Sequence, residues 1–493
     1  MGIAPEPLAE DEGQAATPEA PLDPGFAFRP AYEYTDKRGE TWRIPPGLKR
    51  ALPFYLHKPW ARLGRPLRLF EYMARNLGPI SHYRLFNIHV IYLNDPAFVR
   101  EVLINQANSF VRERTIQRLK ILLGEGLLTS DDPTHKRSRR IAAPAFHRQR
   151  IAAYAETMVE SARAMRDGWS DGQEIDIAST MMQLSLEIVA RTLFATEVDA
   201  DVRAINDETN AIMAIYNYLI AFPNLEAVLH WPIPGVMRFR KARSRLDRVI
   251  NRIITDTRAL GEAKLSVRTD LLSLLLLARD EDGSELSDEQ LRDEVITIFL
   301  AGYETTANAL TWTMYLLTLN PQADRRMSAE ICEVLGEGDQ ARLPTLDDYT
   351  RLKYTAMVLA EGMRLYPPAW AMGRMSTEPV EMGGYRLPPG THWYLSQYVL
   401  QRSPELYPNP LKFEPLRHTE EEKARRDKFA YFPFGGGGRQ CIGEGFAWME
   451  MVLVLATVAQ RWHMELLPDQ KVDVEEKITL RPRYPIRARL RAR

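Results

Sequence analysis

The segment FGGGGRQCIG at residues 434–443 constrains the fold of this chain more than any other part of the sequence. Glycines let the backbone adopt positive φ angles and let a flat ligand approach the main chain closely. The helical pattern EGFAWME follows directly at residues 444–450. The segment therefore predicts a tight glycine turn that presents one cysteine, Cys441, at the start of a helix.

Each part of this segment has an ordinary explanation when taken alone. A run of glycines is usually a flexible linker, and a lone cysteine is usually a small buried hydrophobe. The combination is more specific, because an aromatic residue stands seven positions before the cysteine, an arginine two before it and a glycine two after it. This arrangement favours a metal-binding thiolate, and haem iron is one metal held by a single cysteine thiolate.

The segment resembles the haem-binding signature of the cytochrome P-450 family, with every fixed position filled. The resemblance implies that Cys441 is the axial ligand of the iron in haem b (iron protoporphyrin IX). It implies that Arg439 pairs with a haem propionate, that Phe434 packs near the thiolate, and that Gly437 and Gly443 permit the tight loop. It also implies the family fold, a triangular haem-thiolate prism that is mainly α with small β-sheets.

Length and composition favour one large domain. The chain has 493 residues, 45% of them hydrophobic, which is ample for a large core. A net charge of −1 gives no reason to expect a nucleic-acid partner. We expect a single haem domain at residues 29–493, preceded by a disordered tail at residues 1–28 that is rich in alanine, proline and acidic residues.

The N-terminus and the cysteine content predict a cellular location. The tail has neither the pattern of a signal peptide nor an apolar run long enough for a transmembrane anchor. Two cysteines in a chain of this length exclude a disulfide scaffold and fit a reducing compartment. We therefore expect a soluble, cytoplasmic protein of bacterial type.

Local patterns predict many helices and a few short strands. Residues 83–93 are apolar and rich in strand-forming types, and residues 380–399 read as strands interrupted by the LPPG turn at 387–390. The sequence SDEQ at 287–290 has the spacing of a capping box, so we expect a long helix to begin there.

Residues 295–317 predict a helix that is apolar on all sides except at its centre, as in a large core. The ordinary explanation of Ala301 and Gly302 is a helix crossing, with Glu304 satisfied by an arginine. However, AGYETT at 301–306 is similar to the oxygen-activation motif of the family. The resemblance implies that Ala301 and Gly302 leave space beside the haem, that Thr305 donates a hydrogen bond during oxygen activation, and that Glu304 relays protons.

Two further motifs match the family in the expected order. Glu361 and Arg364 form the family's Glu-x-x-Arg pair, and Arg417 follows in a segment similar to the one that supplies a second arginine. The resemblance implies a buried triad with a structural role, since an unpaired buried charge costs about 3–5 kcal/mol. The chain has His418 where relatives commonly have phenylalanine.

The basic sequence HKRSRR at 135–140 is typical of a solvated helix face. The resemblance instead implies that His135, Arg139 and Arg374 bind haem propionates, for which arginine offers bidentate pairing. The remaining basic residues predict a surface for an acidic ferredoxin or flavodoxin with its reductase: Lys136, Arg137, Arg140 and Arg148.

The resemblance places a lipophilic substrate in a pocket built from three segments, although ordinary core packing explains each residue equally well. The candidates are Phe110, Ile116, Leu119, Leu122, Leu123, Leu127, Leu128, Phe299, Ala369, Trp370 and Met372. The predicted activity is that of a monooxygenase that hydroxylates or epoxidises its substrate with electrons from NAD(P)H through separate redox proteins. The alternatives are a peroxygenase, a haem-thiolate isomerase, or a non-catalytic haem or gas sensor.

Overall fold

The computed structural model describes residues 28–49, 66–85, 87–196, 231, 233–279 and 283–493. The predicted tail at residues 1–28 lies, except for Phe28, outside the described residues. The helices are α1 Pro66–Leu77, α2 Pro96–Arg100, α3 Arg114–Arg118, α4 Lys120–Leu123, α5 Thr134–Ala142, α6 Arg148–Asp167, α7 Ile177–Leu193, α8 Pro234–Arg258, α9 Glu262–Leu265, α10 Leu271–Leu277, α11 Asp288–Leu319, α12 Pro321–Leu335, α13 Leu346–Tyr349, α14 Lys353–Leu365, α15 Gln397–Leu400, α16 Glu420–Arg425 and α17 Glu444–Ala459.

The strands are short and lie mostly near the two ends of the chain. They are β1 Phe28–Arg29, β2 Tyr32–Thr35, β3 Thr41–Ile44, β4 Gly47–Leu48, β5 Ile80–Leu85, β6 Ile88–Leu93, β7 Phe110–Arg112, β8 Glu174–Asp176, β9 Met372–Ser376, β10 Val380–Met382, β11 Tyr385–Leu387, β12 His392–Leu395, β13 Trp462–Leu466, β14 Val474–Glu476, β15 Leu480–Pro482 and β16 Arg487–Ala492.

The largest sheet has seven strands in the order β1-β4-β5-β6-β12-β9-β7. The strands predicted at residues 83–93 and 380–399 are confirmed as β5, β6 and β10 to β12, with the LPPG turn between β11 and β12, but residues 397–399 belong to helix α15. At the β7 edge, antiparallel pairing sets Arg112 opposite Arg374. This register brings together two arginines that are 262 positions apart in the sequence.

Helix α11 is the central helix of the fold, and 23 of its 32 residues are buried. The predicted capping box is confirmed, because Ser287 and Gln290 each accept a hydrogen bond from the other's backbone N–H. The helix packs along α7, where a Cβ on Gly302 would lie 3.2 Å from the Val189 side chain. The predicted helix crossing at Gly302 therefore exists. Among the described residues, no helix is both long and apolar enough to cross a membrane.

The main hydrophobic core lies between helices α6, α7, α8, α11, α14 and α17. A second core lies beneath the large sheet, next to the loop that carries Cys441. Towards its C-terminal end, α11 is anchored by Trp312, whose indole stacks on Tyr366 with ring centroids 4.3 Å apart. The cysteine loop is thus enclosed by helical packing on one side and by the sheet core on the other.

Candidate active site

The cysteine loop is a tight turn that only glycine can form at one point. Gly437 has a φ of +70°, and a Cβ there would collide with the carbonyl oxygen of Leu103. The backbone N–H of Cys441 donates to the carbonyl of Phe434 at 3.0 Å, which closes the loop. Arg139 on α5 donates to the carbonyl of Gln440 at 2.7 Å. The residue before the cysteine is therefore fixed from a second element.

The Cys441 thiol is accessible, although protein surrounds it. Burial raises the pKa of this thiol to about 11, while the N–H of Gly443 at the start of α17 acts in the opposite direction. A group that is both crowded by protein and accessible lines an internal space rather than the outer surface. A metal cation in that space would deprotonate the thiol outright.

The middle of α11, like Cys441, is accessible although protein surrounds it. Ala301 is exposed, and Gly302 and Thr305 are half-buried, although their neighbours along the helix are in the core. The Thr305 hydroxyl donates to the carbonyl of Ala301 at 2.8 Å. Ala301 and the Thr305 hydroxyl thus face open space at the point where the sequence motif AGYETT lies, while Gly302 contacts Val189 of α7.

Glu304 lies beside this point but is held from another direction. Its carboxylate accepts a hydrogen bond of 2.5 Å from the Thr479 hydroxyl, which precedes β15. The Thr479 oxygen in turn accepts a bond of 3.3 Å from the side-chain amide of Asn308. The partner of Glu304 is therefore a threonine rather than the arginine expected from ordinary helix packing.

Three arginines and a histidine gather near the cysteine loop. Arg112 and Arg374 are paired across β7 and β9, Arg439 belongs to the loop, and His135 lies on α5. Arg439 donates to the Ser130 carbonyl at 2.7 Å, while the carboxylate of Asp131 lies 3.5 Å from its guanidinium. The structure thus brings together three of the four predicted propionate residues and adds Arg112.

Burial lowers the pKa of every member of this cluster, and repulsion from a neighbouring arginine adds to the effect. Burial, then the charges of Arg374 and Arg439, holds the pKa of Arg112 well below its usual range. Burial, followed by the charge of Arg439, lowers the pKa of Arg374 to about 10 and the pKa of His135 to about 4. The carboxylates nearby therefore do not fully offset these charges. Among the described residues, Nε of Arg112 is buried without a hydrogen-bond partner.

Such a cluster fits a ligand that carries carboxylates, because a guanidinium pairs well with two oxygens at once. The haem propionates are carboxylates of this kind. Arg139 donates to the cysteine loop through the contact described above, and its role at a propionate stays a prediction. Its position suits a role in holding the loop.

The predicted structural triad of Glu361, Arg364 and Arg417 is present, and His418 joins it. Arg364 pairs with Glu361 through two hydrogen bonds of 2.7 and 2.8 Å, and both side chains are fully buried. His418 lies 3.0 Å from the same carboxylate. The Arg417 guanidinium lies 3.6 Å from the Glu361 carboxylate and donates hydrogen bonds to the carbonyls of Pro408 and Asn409.

The directions of the pKa shifts indicate which of these buried side chains are charged. Burial alone would raise the pKa of Glu361, but the hydrogen bonds from His418 and Arg364 lower it. Burial lowers the pKa of His418, so its neutral imidazole donates from Nε2. The departure from phenylalanine at this position therefore adds a hydrogen-bond donor to the buried carboxylate.

The predicted pocket residues fall into two groups. Ala369, Trp370 and Met372 are half-buried, and a Cβ on Gly435 of the cysteine loop would lie 2.7 Å from the Met372 methyl group. Ile116 and Leu128 are also half-buried, and the other six are buried: Phe110, Leu119, Leu122, Leu123, Leu127 and Phe299. Phe299 in particular packs against Phe194, with ring centroids 5.2 Å apart, so the structure places it in the core between α7 and α11.

Protein side chains alone do not complete a metal site here. Among the described residues, no group of three or more histidine, cysteine or acidic side chains gathers as metal ligands would. Cys441 can therefore hold a metal only if a ligand supplies the other donors, as a porphyrin does.

The comparison with known proteins decides between these chemistries. A family model for cytochrome P-450 matches residues 45–488. The chain belongs to the cytochrome P-450 family. The family implies haem b as cofactor, which agrees with the accessible thiol and with the arginine cluster described above.

The relatives of this cytochrome P-450 are bacterial oxygenases. It is 39% identical to cyclooctatin synthase of Streptomyces melanosporofaciens over 84% of this chain and 89% of that protein. It is 34% identical to cyclooctat-9-en-7-ol 5-monooxygenase of the same organism, covering 82% and 86%. It is 32% identical to pentalenene oxygenase of Streptomyces avermitilis, covering 90% and 95%. These relatives confirm the predicted class, a monooxygenase.

The fold prediction is confirmed as well. The crystal structure of a cytochrome P450DA haem domain matches with a TM-score of 0.77 and 26% identity, covering 87% of this chain and 93% of that one. Sequence reasoning missed Arg112, Thr479 and His418 as partners in the site. Arg112 could have been suspected from its place two residues after Phe110, on the same strand.

Glu450 is a buried acid in α17, nine positions after Cys441. Its side chain is fully buried, and among the described residues neither carboxylate oxygen has a hydrogen-bond partner. Burial raises its pKa to about 8, and the nearby Ser185 hydroxyl offsets this only in part. The carboxyl is therefore protonated at neutral pH in the folded protein.

We predict that this acid makes the protein less stable as the pH rises from about 4.5 to about 8. Across that window the unfolded chain releases the Glu450 proton while the folded protein keeps it, so the free energy of unfolding falls. Glu450→Gln should flatten this fall and leave stability below pH 4.5 little changed. Urea midpoints at pH 5 and pH 8 measure it, with the exposed Glu333→Gln as control. An unchanged slope in Glu450→Gln would contradict the assignment.

Proposed function

We propose that Cys441 is the axial thiolate of the haem and that Arg112, Arg374, Arg439 and His135 hold its propionates. The observation that carries this proposal is an accessible thiol, surrounded by protein, on the loop that also supplies Arg439 to a partly uncompensated arginine cluster. When bound, haem b supplies the chemistry that uses dioxygen and two electrons to insert one oxygen atom into a substrate and release the other as water. The chain's own residues orient the cofactor, exclude water and move protons.

Thr305 and Glu304 are the residues that we propose for proton delivery. The Thr305 hydroxyl has one proton, which it now donates to Ala301, so delivery towards the open space requires that bond to be released. The hydrogen bond from Thr479 holds Glu304 beside the open space next to Thr305. There its carboxylate can take up a proton from solvent and pass it towards Thr305. Both groups lie on α11, which is rigidly packed on either side of them.

The substrate that we propose is a terpenoid-type cyclic hydrocarbon or its hydroxylated derivative. The names of two relatives support this class, since one is pentalenene oxygenase and the other cyclooctat-9-en-7-ol 5-monooxygenase. The half-buried side chains of Ala369, Trp370 and Met372 offer the apolar contacts that such a molecule needs.

We further propose a ferredoxin or flavodoxin-type donor that docks on the face formed by α5 and the start of α6. This face carries Lys136, Arg137, Arg140 and Arg148, and Arg139 of the same helix reaches the residue next to Cys441. An acidic partner would be steered there by charge. The free thiols of Cys332 and Cys441 support a reducing, cytoplasmic environment for this exchange.

The thiolate assignment is tested by Cys441→Ser. We predict that the reduced variant with carbon monoxide loses the absorption band of thiolate-ligated haem, because a serine hydroxyl does not replace the sulfur donor. Cys332→Ser is the matched control, since it removes the other cysteine and should keep the band. A variant at Cys441 that retains the thiolate band would refute the assignment.

The proton-delivery assignment is tested by Thr305→Ala. We predict that NAD(P)H is still consumed but that the fraction converted to oxygenated product falls about tenfold or more, in keeping with the loss of a positioned proton donor. The control is Thr306→Ala, because Thr306 makes the same type of bond, to the Gly302 carbonyl at 3.1 Å, but is buried. Equal coupling in wild type and Thr305→Ala would count against the role of this hydroxyl.

The docking face is tested by Arg140→Glu in the haem-bound protein. We predict that reduction by a surrogate ferredoxin slows by about tenfold at low ionic strength and recovers towards wild type as salt is added. Haem content should not change. Arg240→Glu on α8 introduces the same charge change on an exposed site of another helix. If the ferredoxin reduces both variants at the same rate, the partner does not use this face.

A further inference from the structure

Two buried carboxylates near the start of α11 face the loop that follows α4. Asp293 and Glu294 are only 5% and 3% exposed. Asp293 accepts a hydrogen bond of 2.8 Å from the backbone N–H of Glu125, and Glu294 accepts one of 3.1 Å from the backbone N–H of Leu127. Hydrogen bonds to ionised acceptors are about twice as strong as neutral ones.

Arg292 fastens the same loop from its other end. Its guanidinium donates to the carbonyl of Leu122 at 2.9 Å and to the carboxylate of Asp293 at 2.9 Å. It also pairs with Asp247 of α8. One side chain therefore joins α8, α11 and the end of α4.

The loop lies so close to α11 that side chains are excluded at two positions. Gly124 has a φ of +62°, and a Cβ there would collide with the Asp293 carboxyl group. A Cβ on Gly126 would collide with the Thr297 hydroxyl and lie 2.5 Å from the Asp293 carbonyl oxygen. The contact between loop and helix is thus set by backbone and carboxylate, with no space for adjustment.

The residues held by these contacts lie between the substrate side and the propionate side. Leu123 and Leu127 flank the loop and belong to the predicted pocket segment. Glu294 also bonds to Ser138 of α5, which lies between His135 and Arg139. The same carboxylate pair therefore fixes the pocket segment relative to the helix that carries the propionate residue His135.

We propose that Asp293 and Glu294 are positioning residues for the monooxygenase reaction, holding residues 122–128 against α11 and so setting the shape of the substrate space. The inference rests on the proposed function, which assigns this segment to the substrate side. A purely structural role would instead lower stability and weaken the binding of every ligand equally. The distinction lies in ligand size, because the proposal expects only the larger of two iron ligands to reach the segment.

The experiment compares two azoles that bind haem iron directly, imidazole and the larger 4-phenylimidazole, by spectral titration of the haem-bound protein. In Asp293→Ala and Gly126→Ala, we expect the Kd of 4-phenylimidazole to change by about tenfold, the size of effect of one charge-assisted hydrogen bond. The Kd of imidazole should change less than about twofold, within the error of such comparisons.

Two controls separate positioning from general loss of stability. Gly235→Ala adds a methyl group in α8 where no atom lies within 4 Å. Asp348→Asn weakens a buried carboxylate that pairs with Arg342 outside this region. Neither should alter the ratio of the two Kd values. A ratio that is unchanged in the α11 and loop variants, or equally changed in the controls, overturns the proposal.

Glu294 supplies a second, milder test if Asp293→Ala does not retain haem. Glu294→Gln keeps an oxygen that can accept the Leu127 N–H, so the wild-type ratio should return, whereas Glu294→Ala should shift it. Identical behaviour of the two Glu294 variants would refute the positioning role. Failure of the proposed function would appear separately, as a wild-type protein that binds neither azole at iron.

Discussion

The repulsion among buried arginines beside the cysteine loop is the interaction on which the rest of the site depends. Arg112, Arg374 and Arg439 come from a strand pair and a loop that the fold forces together, and burial lowers the pKa of each. A group of buried cations that is not fully compensated opposes folding. An anionic ligand that binds only the folded chain would offset that cost and stabilise the protein by mass action.

From this dependence we expect haem binding to stabilise the folded chain. The arginines are brought together by the β7–β9 register, and the cysteine loop is closed by a backbone bond to Phe434 and by Arg139. Neither element needs the cofactor to form its hydrogen bonds. An anionic cofactor at this position would balance the charge of the arginines, so the chain alone forms the shape of the site but leaves its electrostatics incomplete.

Different parts of helix α11 have different roles. Its first turns carry Asp293 and Glu294, which hold the neighbouring loop, and its C-terminal part is anchored by the stack of Trp312 on Tyr366. Between these fixed parts lie Ala301 and Thr305, which face open space. Close packing on both sides of this opening prevents neighbouring side chains from filling the space beside Ala301 and Thr305.

Local signals in the sequence were sufficient for part of this picture. The capping box at 287–290 and the glycine loop at 434–443 each depend on residues within one turn or loop, so their geometry could be predicted. The partners of buried polar groups depend on distant elements. The Thr479 bond to Glu304 spans 175 positions, and no periodicity encodes it.

The same limit explains the residues whose positions differ from the prediction. Phe299 and Ala301 are two positions apart on one helix, yet one is fully buried and the other exposed. Which side of an all-apolar helix faces a cavity depends on what packs against it, and hydrophobicity alone carries no information on that choice. Arg139 and His135, one turn apart, likewise differ in their partners because the cysteine loop reaches only one of them.

The two buried charge clusters differ in how far the chain satisfies their arginines. Arg364 has a bidentate carboxylate partner in Glu361, and the carbonyls of Gln401 and Pro410 accept its other donors. The arginines near Cys441 have repulsive neighbours and, in Arg112, a buried nitrogen without a partner among the described residues. A buried guanidinium that the chain satisfies is part of the scaffold. One that the chain gathers with others of its kind and leaves incompletely satisfied is arranged for an anion from outside.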